Sequence, residues 1–354
     1  MISMELRFLF VLLVFPVVLA SAAVAGTKTL LNIRIVTDEP EGVLAVLDKR
    51  AAGNAITEDD WSRIFQSEGY QRLKKRELSM SRPFEEADFR TFVMSPELLA
   101  RREALAATLA KWRSIDPASA GGKALAYLPR KATISAKIYP VIKPRENSFV
   151  FEVKTDPAIF LYLDAAVDAD KFENTLAHEL HHIGFGGGCP TPNVKAQREK
   201  LSEGVRNAIG WTAAFGEGLA MLAAAGAPNI HPHLVSDAKE RAEWDASMLN
   251  YDADLKKVEA FLLDVADGRL KGDEENKAGF AFFGVQGPWY TVGWRMASVI
   301  EQIYGRERLV ESFCDNSRLL KTYNSAARKY NHRHEENLAL WSDELLEKFE
   351  LKRR

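Results

Sequence analysis

The stretch AHELHHIGFGGGCP, residues 177–190, places histidines and a glutamate close enough along the chain to act on one metal ion. His178 to His182 match the pattern H-E-x-x-H. In a helix, His178 and His182 project from one face, so both imidazoles can bind a single zinc. Glu179 then lies one step around the helix, beside the open position of the metal, where it can act as a general base. The spacing predicts a hydrolytic zinc site; the alternative is a solvated helix face.

A third ligand is available in the segment GWTAAFGEGLAMLAAAG, which predicts a helix of small and apolar residues. Glu217 is its one carboxylate, and a lone charge among apolar side chains is costly to bury without a partner. Catalytic zinc commonly takes three protein ligands and leaves a fourth position for water. We therefore predict that His178, His182 and Glu217 bind one Zn²⁺ per chain. The alternative is a Glu217 that lies on an exposed rim.

The helix that carries the histidines is predicted from its own sequence. Asp170 and Glu173 have the spacing of a capping box, and Gly184 is in the usual place for a glycine that ends a helix. Apolar residues recur at helical spacing and predict the buried stripe: Phe172, Leu176, Leu180 and Ile183. The metal-binding histidines lie beside this stripe, whereas His181 is predicted to point elsewhere and either to support a ligand residue or to have a structural role.

The surrounding patterns predict an α+β fold that is predominantly helical. Residues 39–125 have helical periodicity, with Thr57 and Ser95 as N-caps. Residues 31–35 and three runs between 132 and 164 predict a small sheet, partly antiparallel because the connections are short. The H-E-x-x-H helix and a helical C-terminal region follow. We divide the chain into a helical region, 26–130, and a region that contains the metal site, 131–354.

HELHH and FGEGLA resemble the corresponding stretches of gluzincin metallopeptidases, which combine H-E-x-x-H with a glutamate on a later helix. The chain is more similar to a bacterial family described as zinc-dependent peptidases, through IFLYLD, HELHHIGFGG, EGLA and YTVGWRMASVIEQIYG. The resemblance spans about 158–304. It implies a gluzincin-like fold for 131–354, the same three zinc ligands and Glu179 as catalytic base. Thermolysin-like enzymes have an aspartate where this chain has Met221, so another group must orient the ligand histidine.

These residues predict a peptidase that cleaves peptide or protein substrates with a zinc-activated water. Tyr290, at the start of a predicted helix after Gly287 and Pro288, is the candidate donor to the oxyanion. Tyr290 could instead be an aromatic packing residue, and Arg295 is a weaker candidate for the donor. The alternatives to a peptidase are a non-catalytic zinc-binding protein and a zinc-dependent amidase.

The N-terminus predicts an extracytoplasmic protein. Residues 1–25 carry Arg7, an apolar run and the small residues Ala23 and Ala25, as in a secretory signal peptide. The alternative is an uncleaved anchor, the one case in which we expect membrane attachment. Cys189 and Cys314 could pair in an oxidising compartment, or both could be free thiols.

Two further observations limit other functions. Lys and Arg number 47 against 49 Asp and Glu, and this balance argues against a nucleic-acid partner. Two other pairs of histidines, at 231 and 233 and at 332 and 334, lie in polar contexts without ligand spacing. We predict that they are exposed.

Overall fold

The computed structural model describes residues 30–189 and 199–350. The predicted signal peptide, residues 1–25, lies outside the described residues, so that prediction is untested.

The N-terminal region begins with β1 and continues as helices. These elements are β1 (Leu31–Ile35), α1 (Asp38–Ala51), α2 (Glu58–Phe65), α3 (Glu68–Ser79), α4 (Glu86–Val93), α5 (Pro96–Arg113) and α6 (Pro117–Leu125). Thr57 accepts a hydrogen bond from the amide of Asp60, and Ser95 accepts one from the amide of Leu98. Both predicted N-caps are therefore confirmed.

The sheet has four strands and is mixed, as predicted. Its other members are β2 (Ile134–Val141), β3 (Phe149–Phe151) and β4 (Ala158–Tyr162), and the strand order is β1-β2-β4-β3. β2 pairs in parallel with β1 and β4, whereas β3 pairs with β4 antiparallel. A parallel pair needs a long crossover, and α1 to α6 provide it between β1 and β2.

Helices dominate after the sheet. They are α7 (Ala169–Gly188), α8 (Glu203–Trp211), α9 (Gly216–Ala225), α10 (Ala238–Met248), α11 (Tyr251–Ala266), α12 (Gly272–Ala281), α13 (Pro288–Tyr304), α14 (Arg306–Cys314), α15 (Asn316–His334) and α16 (Asp343–Phe349). A turn of 3-10 helix, Thr212–Phe215, joins α8 to α9. The fold is α+β and predominantly helical, as the sequence predicted.

Two large groups of buried side chains hold the fold together. One, the sheet core, joins the N-terminal helices to the sheet and the apolar stripe of α7. The other, the helical core, joins α8, α9 and the helices that follow. Phe185 of α7 packs against both, so the metal-site helix lies where they meet. The division of the chain at residue 130 stays a prediction.

The bounds of α7 differ from the predicted ones. Asp168, rather than Asp170, accepts the capping hydrogen bond, and Glu173 instead pairs with Lys123 at 2.9 Å. The helix continues past Gly184 to Gly188. Gly184 is needed for packing, because a Cβ there would meet the side chains of Leu128 and Ile134. Both predictions were wrong because tertiary contacts decided the roles of these residues.

Cys189 and Cys314 form a disulfide, with their Cα atoms 5.4 Å apart. The bond joins the end of α7 to the end of α14. The sequence left this pairing open, since two cysteines far apart in sequence reveal no distance.

Among the described residues, one helical stretch, Glu203–Ala225, has the length and apolar composition of a membrane-spanning helix. Of its most apolar window, 61% is buried inside the fold. Buried core helices share this length and composition, so the stretch is weak evidence for a membrane span.

Candidate metal centre

Three side chains converge at the contact between α7 and α9. The Nε2 atoms of His178 and His182 are 3.0 Å apart, and each lies 3.2 Å from the same oxygen, Oε2 of Glu217. His178 and His182 lie one turn apart on α7, and Glu217 lies in the first turn of α9. Among the described residues, this is the one group of three or more possible metal ligands.

The spacing of these three atoms fits a zinc ion. Zinc binds nitrogen and oxygen at about 2.0–2.1 Å in tetrahedral geometry, which separates neighbouring ligand atoms by about 3.3 Å. The observed separations of 3.0–3.2 Å are close to that value. Two histidines and one carboxylate also form a donor set that catalytic zinc uses, with one position left for water.

Glycines bring α9 close to α13. A Cβ on Gly218 would overlap the backbone of Gly293 and Trp294, so the two helices touch through their main chains. A Cβ on Gly293 would lie 2.6 Å from the carbonyl oxygen of Phe215. The contact places the first turn of α9, with Glu217, next to the first turn of α13, with Tyr290.

The electrostatics of the site favour an ionised carboxylate. Burial alone would raise the pKa of Glu217, but hydrogen bonds and charge from His178 and His182 hold it well below its usual range. Burial would lower the pKa of His182, yet the hydrogen bond and charge of Glu217 raise it. Glu217 therefore stays negative and attracts a cation.

Glu179 lies beside the three ligands and is half-buried. Its charge acts on both His182 and Tyr290. Within residues 30–189 and 199–350, its carboxylate takes part in no hydrogen bond or salt bridge with another side chain. The carboxylate is therefore free to meet a water molecule or a substrate.

Tyr290 also lies beside the three candidate ligands. Its ring is nearly parallel to that of His178, at 6.5 Å between centroids. Burial, with the nearby charge of Glu217, raises the pKa of the Tyr290 hydroxyl, which stays protonated as a hydrogen-bond donor. Arg295, the weaker candidate, pairs instead with Glu336 at 3.0 Å.

His181 is buried, and its Nε2 lies 3.3 Å from the carbonyl oxygen of Tyr127. Burial lowers the pKa of His181 to about 3, so the ring is neutral and can donate to that carbonyl. The structure thus places His181 in the packing of α7 against the end of α6. In the described part of the chain, the buried Nδ1 of His178 has no hydrogen-bond partner. No side chain there orients His178 as the aspartate of thermolysin-like enzymes, which stands where this chain has Met221, orients a ligand histidine.

Sequence reasoning missed two aromatic contacts in the first turns of α13. Phe283 lies 6.4 Å from Tyr290 between ring centroids. Trp294 follows Tyr290 by one turn of α13 and packs against Trp244 at 5.8 Å. The one-turn spacing of Tyr290 and Trp294 was the available signal, since it puts both on one helix face.

The prediction for the other histidines was half wrong. His332 and His334 are exposed, as predicted. His231 and His233 are half-buried; His231 lies 3.0 Å from Asp245, and His233 packs against Trp244 at 5.2 Å. Trp244 of α10 packs on the loop that carries His231 and His233. No local sequence pattern predicts this contact.

Comparison with known proteins agrees with this geometry. Residues 61–332 match the model of a family described as "Putative zinc dependent peptidase (DUF5700)", and the matched range contains the three candidate ligands and both candidate catalytic residues. No curated protein and no solved structure matches the chain. Since the match covers well over half of the sequence, the chain belongs to this family, whose description is that of a putative zinc dependent peptidase.

Proposed function

We propose that this protein is a zinc peptidase in which His178, His182 and Glu217 hold one catalytic zinc. The observation that carries the proposal is the convergence of the three ligand atoms within 3.0–3.2 Å of one another, with Glu179 and Tyr290 beside them. When bound, a zinc ion supplies Lewis-acid chemistry that acidifies water and polarises a carbonyl oxygen.

Glu179 acts as the general base. Its half-buried carboxylate accepts a proton from the attacking water and then delivers that proton to the amine that leaves. A structural zinc site would need no such group. The freedom of Glu179 from other side chains in the described structure supports this role.

Tyr290 stabilises the carbonyl oxygen as negative charge develops on it. Its protonated hydroxyl donates a hydrogen bond, and its position on α13 is fixed by the backbone contact of that helix with α9. The donor is therefore held in place before the substrate binds.

The protein acts outside the cytoplasm on peptide or protein substrates. The disulfide between Cys189 and Cys314 supports this location, because such bonds persist in oxidising compartments. The signal-like residues 1–25 support it independently. N-terminal sequencing of the exported protein tests cleavage, which we expect after Ala25.

The function is tested by zinc analysis and peptide hydrolysis on the purified protein and its Glu179→Gln variant. We expect about one zinc per chain in both proteins, and hydrolysis of a mixed peptide library that falls by about 10²- to 10⁴-fold in the variant. Zinc without hydrolysis in the parent would identify a non-catalytic zinc-binding protein. Absence of zinc from both after reconstitution would refute the site.

A further inference from the structure

Three apolar side chains lie at the end of α12 and in the turn that leads from it into α13. They are Phe280, Phe283 and Val285, and we call these three residues the apolar patch. Phe280 is 63% exposed and Val285 is 88% exposed. Exposure of apolar side chains next to one another costs free energy in water and is typical of binding surfaces.

The turn is held firmly against the start of α13. The ring of Phe283 lies 6.4 Å from the buried ring of Trp289, and Phe282 packs on the same ring at 5.6 Å. The amide of Gly287 donates to the carbonyl of Phe283 at 2.7 Å. A Cβ on Gly287 would lie 2.3–2.6 Å from the carbonyl oxygens of two preceding residues, so the close return of the chain requires glycine. These contacts hold the turn, with Phe283, in a defined position against the start of α13.

The patch lies next to the candidate catalytic residues. Rings follow one another outward from the metal ligand: His178 to Tyr290 at 6.5 Å and Tyr290 to Phe283 at 6.4 Å. Phe280 follows Phe283 at 6.0 Å and reaches solvent. An extended peptide advances about 3.3 Å per residue. A side chain one residue from a carbonyl bound at Tyr290 can therefore reach Phe283.

The segment that carries the apolar patch is uncharged. No charged residue occurs from Ala278 to Trp294, so this stretch offers no partner to a charged side chain. A bulky apolar side chain, in contrast, would cover the exposed surface of Phe280 and Val285 and release the water there.

We propose that the apolar patch determines specificity by binding a large apolar side chain next to the scissile bond. This inference rests on the proposed peptidase function and extends it to the class of substrate. Phe283 forms the base of the subsite beside Tyr290, and Phe280 and Val285 form its outer rim.

The test compares two peptide series that carry phenylalanine or serine on either side of the cleaved bond. The variant is the double exchange Phe280→Ser with Val285→Ser, because both side chains are mostly exposed and the fold should tolerate their loss. Leu78→Ser, at an exposed leucine of α3, is the matched control. We expect the parent and the control to prefer phenylalanine at one position by about tenfold or more in kcat/KM. The double variant should lose most of that preference, because its kcat/KM falls more for the phenylalanine peptide than for the serine peptide.

A binding measurement separates this inference from the function on which it rests. In zinc-loaded Glu179→Gln, the affinity for the phenylalanine peptide should fall about tenfold when the double exchange is added. Hydrolysis with the same preference in parent and double variant would overturn the subsite and leave the peptidase intact. A binding preference that depends on the patch, without hydrolysis by the parent, would support the subsite and overturn the peptidase. Absence of both would overturn both.

Discussion

Two glutamates in different regions of the molecule, Glu39 fully buried and Glu217 half-buried, are stabilised in opposite protonation states. Glu39 lies in α1 within the N-terminal region and is fully buried, with one carboxylate oxygen 3.0 Å from the amide of Ile142. Burial raises the pKa of Glu39 well above the ordinary value, which favours its protonated form. Glu217 has its pKa held well below the ordinary value by His178 and His182, so it holds a charge.

The difference teaches where a cation can bind. Desolvation penalises the charged form of a buried carboxyl, and at Glu39 it outweighs the backbone hydrogen bond and the charge of Lys143 that favour ionisation. The half-buried carboxylate of Glu217, which faces two imidazole nitrogens, favours the charged form and can share a metal with them. Burial of a glutamate is therefore uninformative by itself; the groups that face it decide its role.

The largest predicted effect comes from replacing each glutamate in turn by glutamine and comparing the zinc affinities of the two variants. Glu217→Gln replaces a charged ligand by a neutral amide, and we expect zinc affinity to fall by more than about 100-fold, which exceeds the usual effect of groups behind the ligands. Glu39→Gln should leave zinc affinity unchanged. Competition with a zinc-binding dye measures both constants. Equal affinities in all three proteins would contradict the assignment of Glu217.

Tyr290→Phe removes the candidate oxyanion donor and leaves the three candidate zinc ligands unchanged. We expect kcat to fall about 100-fold with KM nearly constant, since the hydroxyl acts on charge that develops during the reaction. Zinc content should stay at the level of the parent. Steady-state kinetics on one peptide decides the matter, and an unchanged kcat would make Tyr290 an aromatic packing residue.

The smallest predicted effect concerns stability and pH at Glu39. A carboxyl whose pKa is raised by folding contributes stability that is fully present below its unfolded pKa, about 4.3. That stability is lost as pH rises toward the folded pKa, by at most about 1.4 kcal/mol per pH unit. Glu39→Gln has no such titration. Its free energy of unfolding should therefore rise relative to that of the parent as pH rises.

Urea unfolding of both proteins from about pH 5 to about pH 8 measures this difference. Because both proteins keep the metal site, its own pH dependence cancels in the comparison. A constant difference across this range would show that Glu39 is ionised in the folded protein throughout.

The contrast between these residues also explains what the sequence could predict. His178, Glu179 and His182 belong to one helix, so spacing alone places the two histidines on one face and Glu179 one step around from them. Glu217 was identifiable because it is the one carboxylate in an apolar segment. Tyr290 was a weaker prediction, because its position depends on how α13 packs against α9.

Other features depend on contacts between distant segments and leave no local pattern. The burial of Glu39 comes from contacts of α1 with β2 and α3, and its own helix shows only an acidic first turn. The length of α7 depends on packing of Gly184 against residues before β2. The burial of His233 depends on Trp244, one element later in the chain. Helical periodicity predicted the elements, whereas these partners became visible only in the folded chain.

The contact between Gly218 and Gly293 has a consequence for how the protein tolerates inherited change. Neither residue carries a functional group, yet a single added methyl at either would push α9 away from α13. That movement would separate Glu217 from Tyr290 while every reactive side chain is still encoded. Random mutagenesis should therefore find inactivating alanine substitutions at Gly218 and Gly293, although neither residue has a reactive side chain.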